Sequence, residues 1–130
     1  MRSFRHPFRN TLLLRTLFIA GIIILSFAFG ANALAGQTSE HDKIAYLLNA
    51  IGSSDLVFIR NETEYTGAEA KAHLQEKMDY AGSLIHTAED FIDYIASESL
   101  TTGTPYYVRL ADGTQVESGI WLRSKLAKMK

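Results

Sequence analysis

The chain of 130 residues contains no cysteine. That removes disulfide staples, a thiol nucleophile and the attachment point of a bacterial lipoprotein anchor. It also lacks any acidic residue before Glu40, any G-x-S-x-G or H-E-x-x-H signature, and any internal repeat or low-complexity tract. Nor is there a basic surplus. Thirteen Lys and Arg face fourteen Asp and Glu, for a formal net charge of −1. Four of the basic residues, Arg2, Arg5, Arg9 and Arg15, lie in the first fifteen positions. Beyond position 35, nine basic residues oppose all fourteen acids, a balance near −5. A nucleic-acid partner needs a basic footprint, and this domain has none.

The first segment has an excess of one sign and a long apolar run. After the four arginines, Thr16 to Ser39 carries no charge, and its centre reads LFIAGIIILSFAF. Ala33-Leu34-Ala35 supplies the small-x-small pattern of a signal peptidase site, so residues 1–35 are expected to be a secretory signal cleaved after Ala35. The arginines are not adjacent, which points to the general secretory route rather than the twin-arginine one. The rival reading is a retained inner-membrane anchor, because the run is long enough for the roughly 20 residues a span needs. Either way the basic flank stays inside and residues 36–130 face the periplasm. Membrane association is expected only if the segment is uncleaved.

Residues 36–130 are enough for one domain held by its hydrophobic core. Ser39 is a plausible N-cap for a helix with Ile44, Leu47, Leu48 and Ile51 on one face, ended by Gly52. LVFIRN reads as a strand covered on both faces, with Leu56 and Phe58 to one side and Val57 and Ile59 to the other. Asn61-Glu62 turns into a short strand, Thr63–Tyr65. Asn tolerates positive φ and Glu does so poorly, so the expectation is a longer or bulged loop. Thr66 with Glu69 and Thr87 with Asp90 form capping boxes for two central amphipathic helices. The first has a stripe of Ala70, Leu74, Met78, Ala81 and Ile85; the second has Ala88, Phe91, Ile92 and Ile95. Gly82 marks a place for the helix to stop. Tyr106 to Leu110 alternates, Asp112-Gly113 makes a hairpin turn into a strand from Thr114 to Glu117, and Ser118 is expected to cap a last helix with Trp121, Leu122, Leu126 and Met129 inward. The whole reads as one α+β domain in the order α-β-β-α-α-β-β-α, with antiparallel hairpins covered by helices.

A few residues sit oddly for a purely structural role. Lys77 falls inside the arc of Ala70, Leu74, Ala81 and Leu84, with His73 one turn earlier. Three readings are open: a snorkelling stem, a partly buried Lys77–His73 pair lining a cleft, or an internal salt bridge. Arg60, with Asn61 beside it at a strand end, is suited to clamp a carboxylate, either of a ligand or of its own fold through Glu64, Glu89 or Asp90. The run SESLTTGTP, with Thr102, Gly103 and the entry to Tyr106, is either a small anion nest or, more economically, a loop satisfying its own backbone. Glu69, His73 and Glu76 share one helical side but lack the nitrogen or sulfur ligands zinc prefers, and Lys77 would repel a cation; no metal or other cofactor is expected.

The motif order also resembles a family of small exported bacterial proteins known only as a domain of unknown function. The likeness rests on F-x-R-N at Phe58, Arg60 and Asn61, and on H-L-x-x-K at His73, Leu74 and Lys77. It continues with T-A-E-x-F-I from Thr87 to Ile92, T-G-x-P-Y from Thr102 to Tyr106, and a closing Trp121-Leu122. It spans about Ile44 to Leu126. The family pattern carries Gly where this chain has Glu62. The resemblance implies a periplasmic address and a shared fold, and no activity. From the residues, the expected function is a non-catalytic accessory or binding module of the cell envelope, with an envelope protein or a small ligand as partner. Its ligand would sit among Arg60, Asn61, His73, Lys77, Thr102 and Tyr106. The alternative is a small envelope hydrolase using His73 and Lys77 with loop hydroxyls.

Overall fold

The computed structural model describes residues 37–130, of which Thr38–Lys130 form one compact unit. The signal or anchor expected at residues 1–35 lies outside the described residues. Four antiparallel strands and four helices build an α+β domain in the expected order. Helix α1 (Glu40–Gly52) leads to the hairpin β1 (Val57–Arg60) and β2 (Thr63–Tyr65), then to α2 (Gly67–Ala81). A 3-10 turn at Gly82–Leu84 precedes α3 (Ala88–Asp90), which continues without a break as a π-helix over Phe91–Ala96. Strands β3 (Tyr107–Arg109) and β4 (Gln115–Glu117) and helix α4 (Ser118–Leu126) close the chain.

The hairpins join through their first strands, giving the sheet order β2-β1-β3-β4. Register places Tyr65, Phe58, Val108 and Val116 in one row across the sheet. Strand side chains alternate faces, so this row defines the side the helices cover. Phe58 and Val108 are buried there against Leu122, Phe91 and Trp121, with the Phe58 and Trp121 rings edge to face at 5.6 Å. Leu47 and Ile51 of α1 and Ile92 and Ile95 of the π-helix complete the core. The opposite face is not covered in the way LVFIRN suggests. Val57 and Ile59 are only half-buried there, beside Tyr107 and the Arg109–Glu64 pair. Val and Ile in a strand report burial of one face and neighbour packing on the other equally well.

Three helix starts follow the capping chemistry. Ser39, Thr66 and Thr87 each accept from the amide three residues on, and Asp42, Glu69 and Asp90 each reach back to the cap. These bonds hold the Asp42 and Glu69 carboxyls below their ordinary pKa, and the His86 amide, followed by the Thr87 cap, does the same for Asp90. Ser118 does not cap α4. Glu117 occupies that position without a side-chain bond, and Ser118 is the first helical residue, its N–H donating 2.8 Å to the Tyr106 carbonyl. The Tyr106 carbonyl thus satisfies one of the first-turn amides that have no partner within the helix.

Two other local departures matter for the site. Asn61 and Glu62 both have positive φ, 48° and 66°, and Arg60 pairs directly with Thr63. This is a tight two-residue turn of the primed kind, not a longer or bulged loop. Strand twist favours that geometry enough to hold a glutamate in the left-handed region. The stripe of α2 also ends early: Ala81 is its last residue, Gly82 takes φ 55°, and Ile85 packs on the core from extended backbone. Leu84 turns outward instead. In the π-helix, Phe91, Ile92, Ile95 and Ala96 are all buried. They fall in two adjacent pairs spaced by about one wide turn, and the Ser97 hydroxyl donates back to the Ile92 carbonyl at 2.6 Å.

Candidate functional site

Arg60 and Tyr106 owe their position to the sheet. Arg60 is two residues beyond Phe58, and Tyr106 two before Val108, so both project on the helix-covered face. Because Ile59 pairs with Tyr107, the two side chains are neighbours at one end of the sheet. The tight Asn61-Glu62 turn fixes Arg60 at its end. Tyr106 is held from both directions, its N–H donating to the Ser97 carbonyl and its carbonyl accepting from Ser118, each at 2.8 Å.

From the other side, α2 brings His73 and Lys77 one turn apart. His73 lies edge-on to Tyr65, with ring centroids 5.0 Å apart. Lys77 is partly buried and, among the described residues, meets no carboxylate. Its ammonium donates to the carbonyls of Ile95 and Glu98, both at 2.7 Å, so it closes the C-terminal end of the π-helix where carbonyls lack partners. The ammonium stands 5.1 Å from the Tyr106 ring centroid, and the Arg60 guanidinium carbon stands 6.0 Å from it. Two cations therefore flank one tyrosine, an attractive arrangement with the ring and a repulsive one between the cations. Burial, aided by the Arg60 charge and opposed by Glu98, pulls the Lys77 pKa down to about 8. Burial likewise pushes the Tyr106 phenol up.

Arg60, His73, Lys77 and Tyr106 thus converge, as the sequence suggested. They line a small pocket of about 40 Å³, room for a few waters and no more. They also form the end of a much larger open groove of about 910 Å³. Asn61 and Thr102 do not join them. The Thr102 hydroxyl donates to the Asn61 side chain at 3.2 Å, tying the β1–β2 turn to the loop before β3. That loop is a backbone-satisfying one and not an anion nest. The Gly103 amide donates to the Ser99 carbonyl, the Thr102 amide to the Ser99 hydroxyl and the Thr104 amide to the Thr102 hydroxyl.

The expected internal pairing of Arg60 is also absent among the described residues, where its guanidinium makes no hydrogen bond or ion pair. The acids proposed for it are taken elsewhere. Glu64 binds Arg109, Glu89 binds Arg123, and Asp90 is occupied by the cap at Thr87. Among the described residues no three His, Asp or Glu gather as metal ligands, and Glu69 is tied to Thr66.

The groove walls escaped sequence reasoning. Large apolar side chains exposed on the described surface are few: Tyr80 (97%), Leu84 (73%), Tyr94 (60%), Leu100 (72%) and Ile120. All but Ile120 line this groove. The available signal was apolar residues off the core stripes: Tyr80 and Leu84 astride Gly82, Tyr94 beside the buried pairs of the π-helix, and Leu100 alone in a polar run.

Together these features define a small α+β domain with a groove that is apolar along its walls and cationic at one end. Residues 38–130 match the Family of unknown function (DUF5329), and the chain belongs to that family. It is similar to the uncharacterized protein YfeK of Salmonella typhimurium (strain LT2), 39% identical over 85 residues, which cover 65% of this chain and 68% of that protein. No solved structure matches.

Proposed function

We propose that this domain is a non-catalytic binding module of the cell envelope, working in the periplasm and taking a small ligand or an envelope partner in the groove ended by Arg60, His73, Lys77 and Tyr106. The observation that carries this reading is Arg60, which meets no carboxylate among the described residues and lines an apolar groove, whereas Arg109 and Arg123 are each paired with acids. Pockets of this size and character are the usual place for ligand recognition. The periplasmic address rests on the basic, apolar and small-x-small pattern of residues 1–35. Among the described residues no helix is long and apolar enough to cross a membrane.

The hydrolase alternative has less support. A nucleophile needs its base within hydrogen-bond reach. Here His73 lies against Tyr65, the Ser97 hydroxyl is given to Ile92, and the nearly buried Ser99 hydroxyl serves the Thr102 amide. Cell fractionation, with amide-resolved NMR of the recovered protein against the small-molecule pool of the periplasm, tests the proposal. It expects periplasmic recovery and shifts clustered along the groove. Cytosolic recovery of the full-length chain, or a spectrum indifferent to the pool, would overturn it.

A further inference from the structure

We infer that the groove binds a single-chain amphiphile with one carboxylate head, the head at Arg60 and the alkyl chain along Tyr80, Leu84, Tyr94 and Leu100. The inference rests on the binding reading above and names its ligand class.

The walls set the tail. Four of the five large apolar side chains exposed among the described residues line this one groove, and apolar surface gathered at one site marks a place of interaction. They come from the end of α2, the 3-10 turn, the π-helix and the loop before β3, so four separate elements contribute to one open groove. A volume near 910 Å³ is at the upper end for a small-molecule site. An alkyl chain fits such a channel because it has no polar groups to satisfy along its length.

The end of the groove sets the head. A planar guanidinium presents paired N–H donors that match a carboxylate bidentately. That of Arg60 is uncommitted among the described residues, whereas Lys77 is already held by two carbonyls and adds field more than bonds. Glu76 lines the same groove, and the Glu98 carboxylate acts on both Lys77 and Tyr106. Two cations moderated by two nearby acids suit one negative charge better than the two of a phosphate monoester. An extended peptide is disfavoured for a different reason. It would need a free strand edge for its backbone, and neither edge strand, β2 or β4, contributes to the groove.

The experiment uses protein expressed from the full chain, followed by calorimetry and by NMR of backbone amides and the arginine Nε–H groups. The probes are dodecanoate below its micelle concentration, dodecanol, acetate, and the periplasmic small-molecule pool. Dodecanoate is expected to bind and shift Leu84, Tyr94, Leu100 and the Arg60 side chain, while acetate shifts little. Arg60→Gln should weaken dodecanoate about ten- to a hundredfold, the worth of a charge-assisted bond, and leave dodecanol unchanged. Leu84→Asp and Leu100→Asp should each reduce binding of both chains. Equal binding of dodecanol and dodecanoate would overturn the head assignment. Self-association through the groove with no response to dodecanoate would replace the ligand by a second copy and overturn the inference. If the pool shifts the groove and dodecanoate does not, the amphiphile falls and the binding module stands. If neither shifts it, both fall.

Discussion

Arg60 and Arg123 occupy opposite situations in the same small domain. Arg123 donates to Glu89 at 2.9 Å and to Asp93 at 2.5 Å, bridging α4 to the helix opened by Thr87. Arg109 likewise meets Glu64 across the sheet at 2.5 Å. Arg60 stands over Tyr106 beside another cation, with no carboxylate bonded to it among the described residues. Half-exposed arginine pairs contribute little to stability, but they show what the fold does with a cation it has no other use for. At Arg60 the same fold leaves the cation available and surrounds the approach with apolar side chains. The difference separates an arginine held by the fold's own acids from one that, among the described residues, meets none.

The largest test of that division compares the core with the groove walls. Phe91 and Leu122 are fully buried, and Phe91→Ala or Leu122→Ala should each cost about 2–5 kcal/mol in urea denaturation. Leu84→Ala and Leu100→Ala, equally large deletions on exposed sites, should stay within about 0.5 kcal/mol. Losses at Leu84 or Leu100 comparable with Leu122 would make the walls part of the core.

Lys77 lies between the two regimes. Lys77→Met removes both bonds to the end of the π-helix and should cost about 1–2 kcal/mol near neutral pH. Its titration has a definite sign. The native pKa of about 8 lies below the ordinary 10.5, so the unfolded chain holds this proton more tightly. Below about pH 8 both states are protonated and the native state carries the full cost of a half-buried ammonium. From about 8 to 10.5 that cost is relieved, and native stability rises relative to Lys77→Met. About 1 kcal/mol is the expected gain, reduced from the full linkage value because the side chain is only partly buried. Urea titrations of both proteins at several pH values check it. A flat difference would mean Lys77 is not desolvated.

At the turn that presents Arg60, Glu62→Gly should stabilise by about 1 kcal/mol, because φ 66° strains any residue with a Cβ. Loss of stability there would contradict the two-residue turn. Smallest of all, Thr102→Ala should cost less than about 0.5 kcal/mol, since its bond to Asn61 is exposed. It should also leave ligand response at Arg60 intact, separating the strap from the site.

The fold was largely legible because its signals were local and redundant. Capping boxes at Thr66 and Thr87 and the stripe of Ile44, Leu47, Leu48 and Ile51 each fixed an element. That four of the candidate residues share one pocket was legible for a related reason: Lys77 broke an apolar stripe, and Arg60 and Tyr106 sat at strand ends. What failed depended on partners distant in sequence. Which carboxylate an arginine meets is decided by register, and Arg109, not Arg60, faces Glu64. The Lys77 acceptors are backbone carbonyls exposed by a π-helix that no spacing announced. The turn at Glu62 obeyed strand twist over residue preference. The groove walls were hidden because Leu84 looked like stripe until Gly82 ended the helix before it.

The most direct measurement sets Arg60→Gln beside Arg109→Gln, each assayed for urea stability and for dodecanoate affinity. Arg60→Gln should unfold at the same urea concentration as the parent and bind at least about tenfold more weakly. Arg109→Gln should lose up to about 1 kcal/mol and bind unchanged. An Arg60→Gln protein that is clearly destabilised yet binds as tightly as the parent would show that Arg60 serves the fold, and would contradict the account.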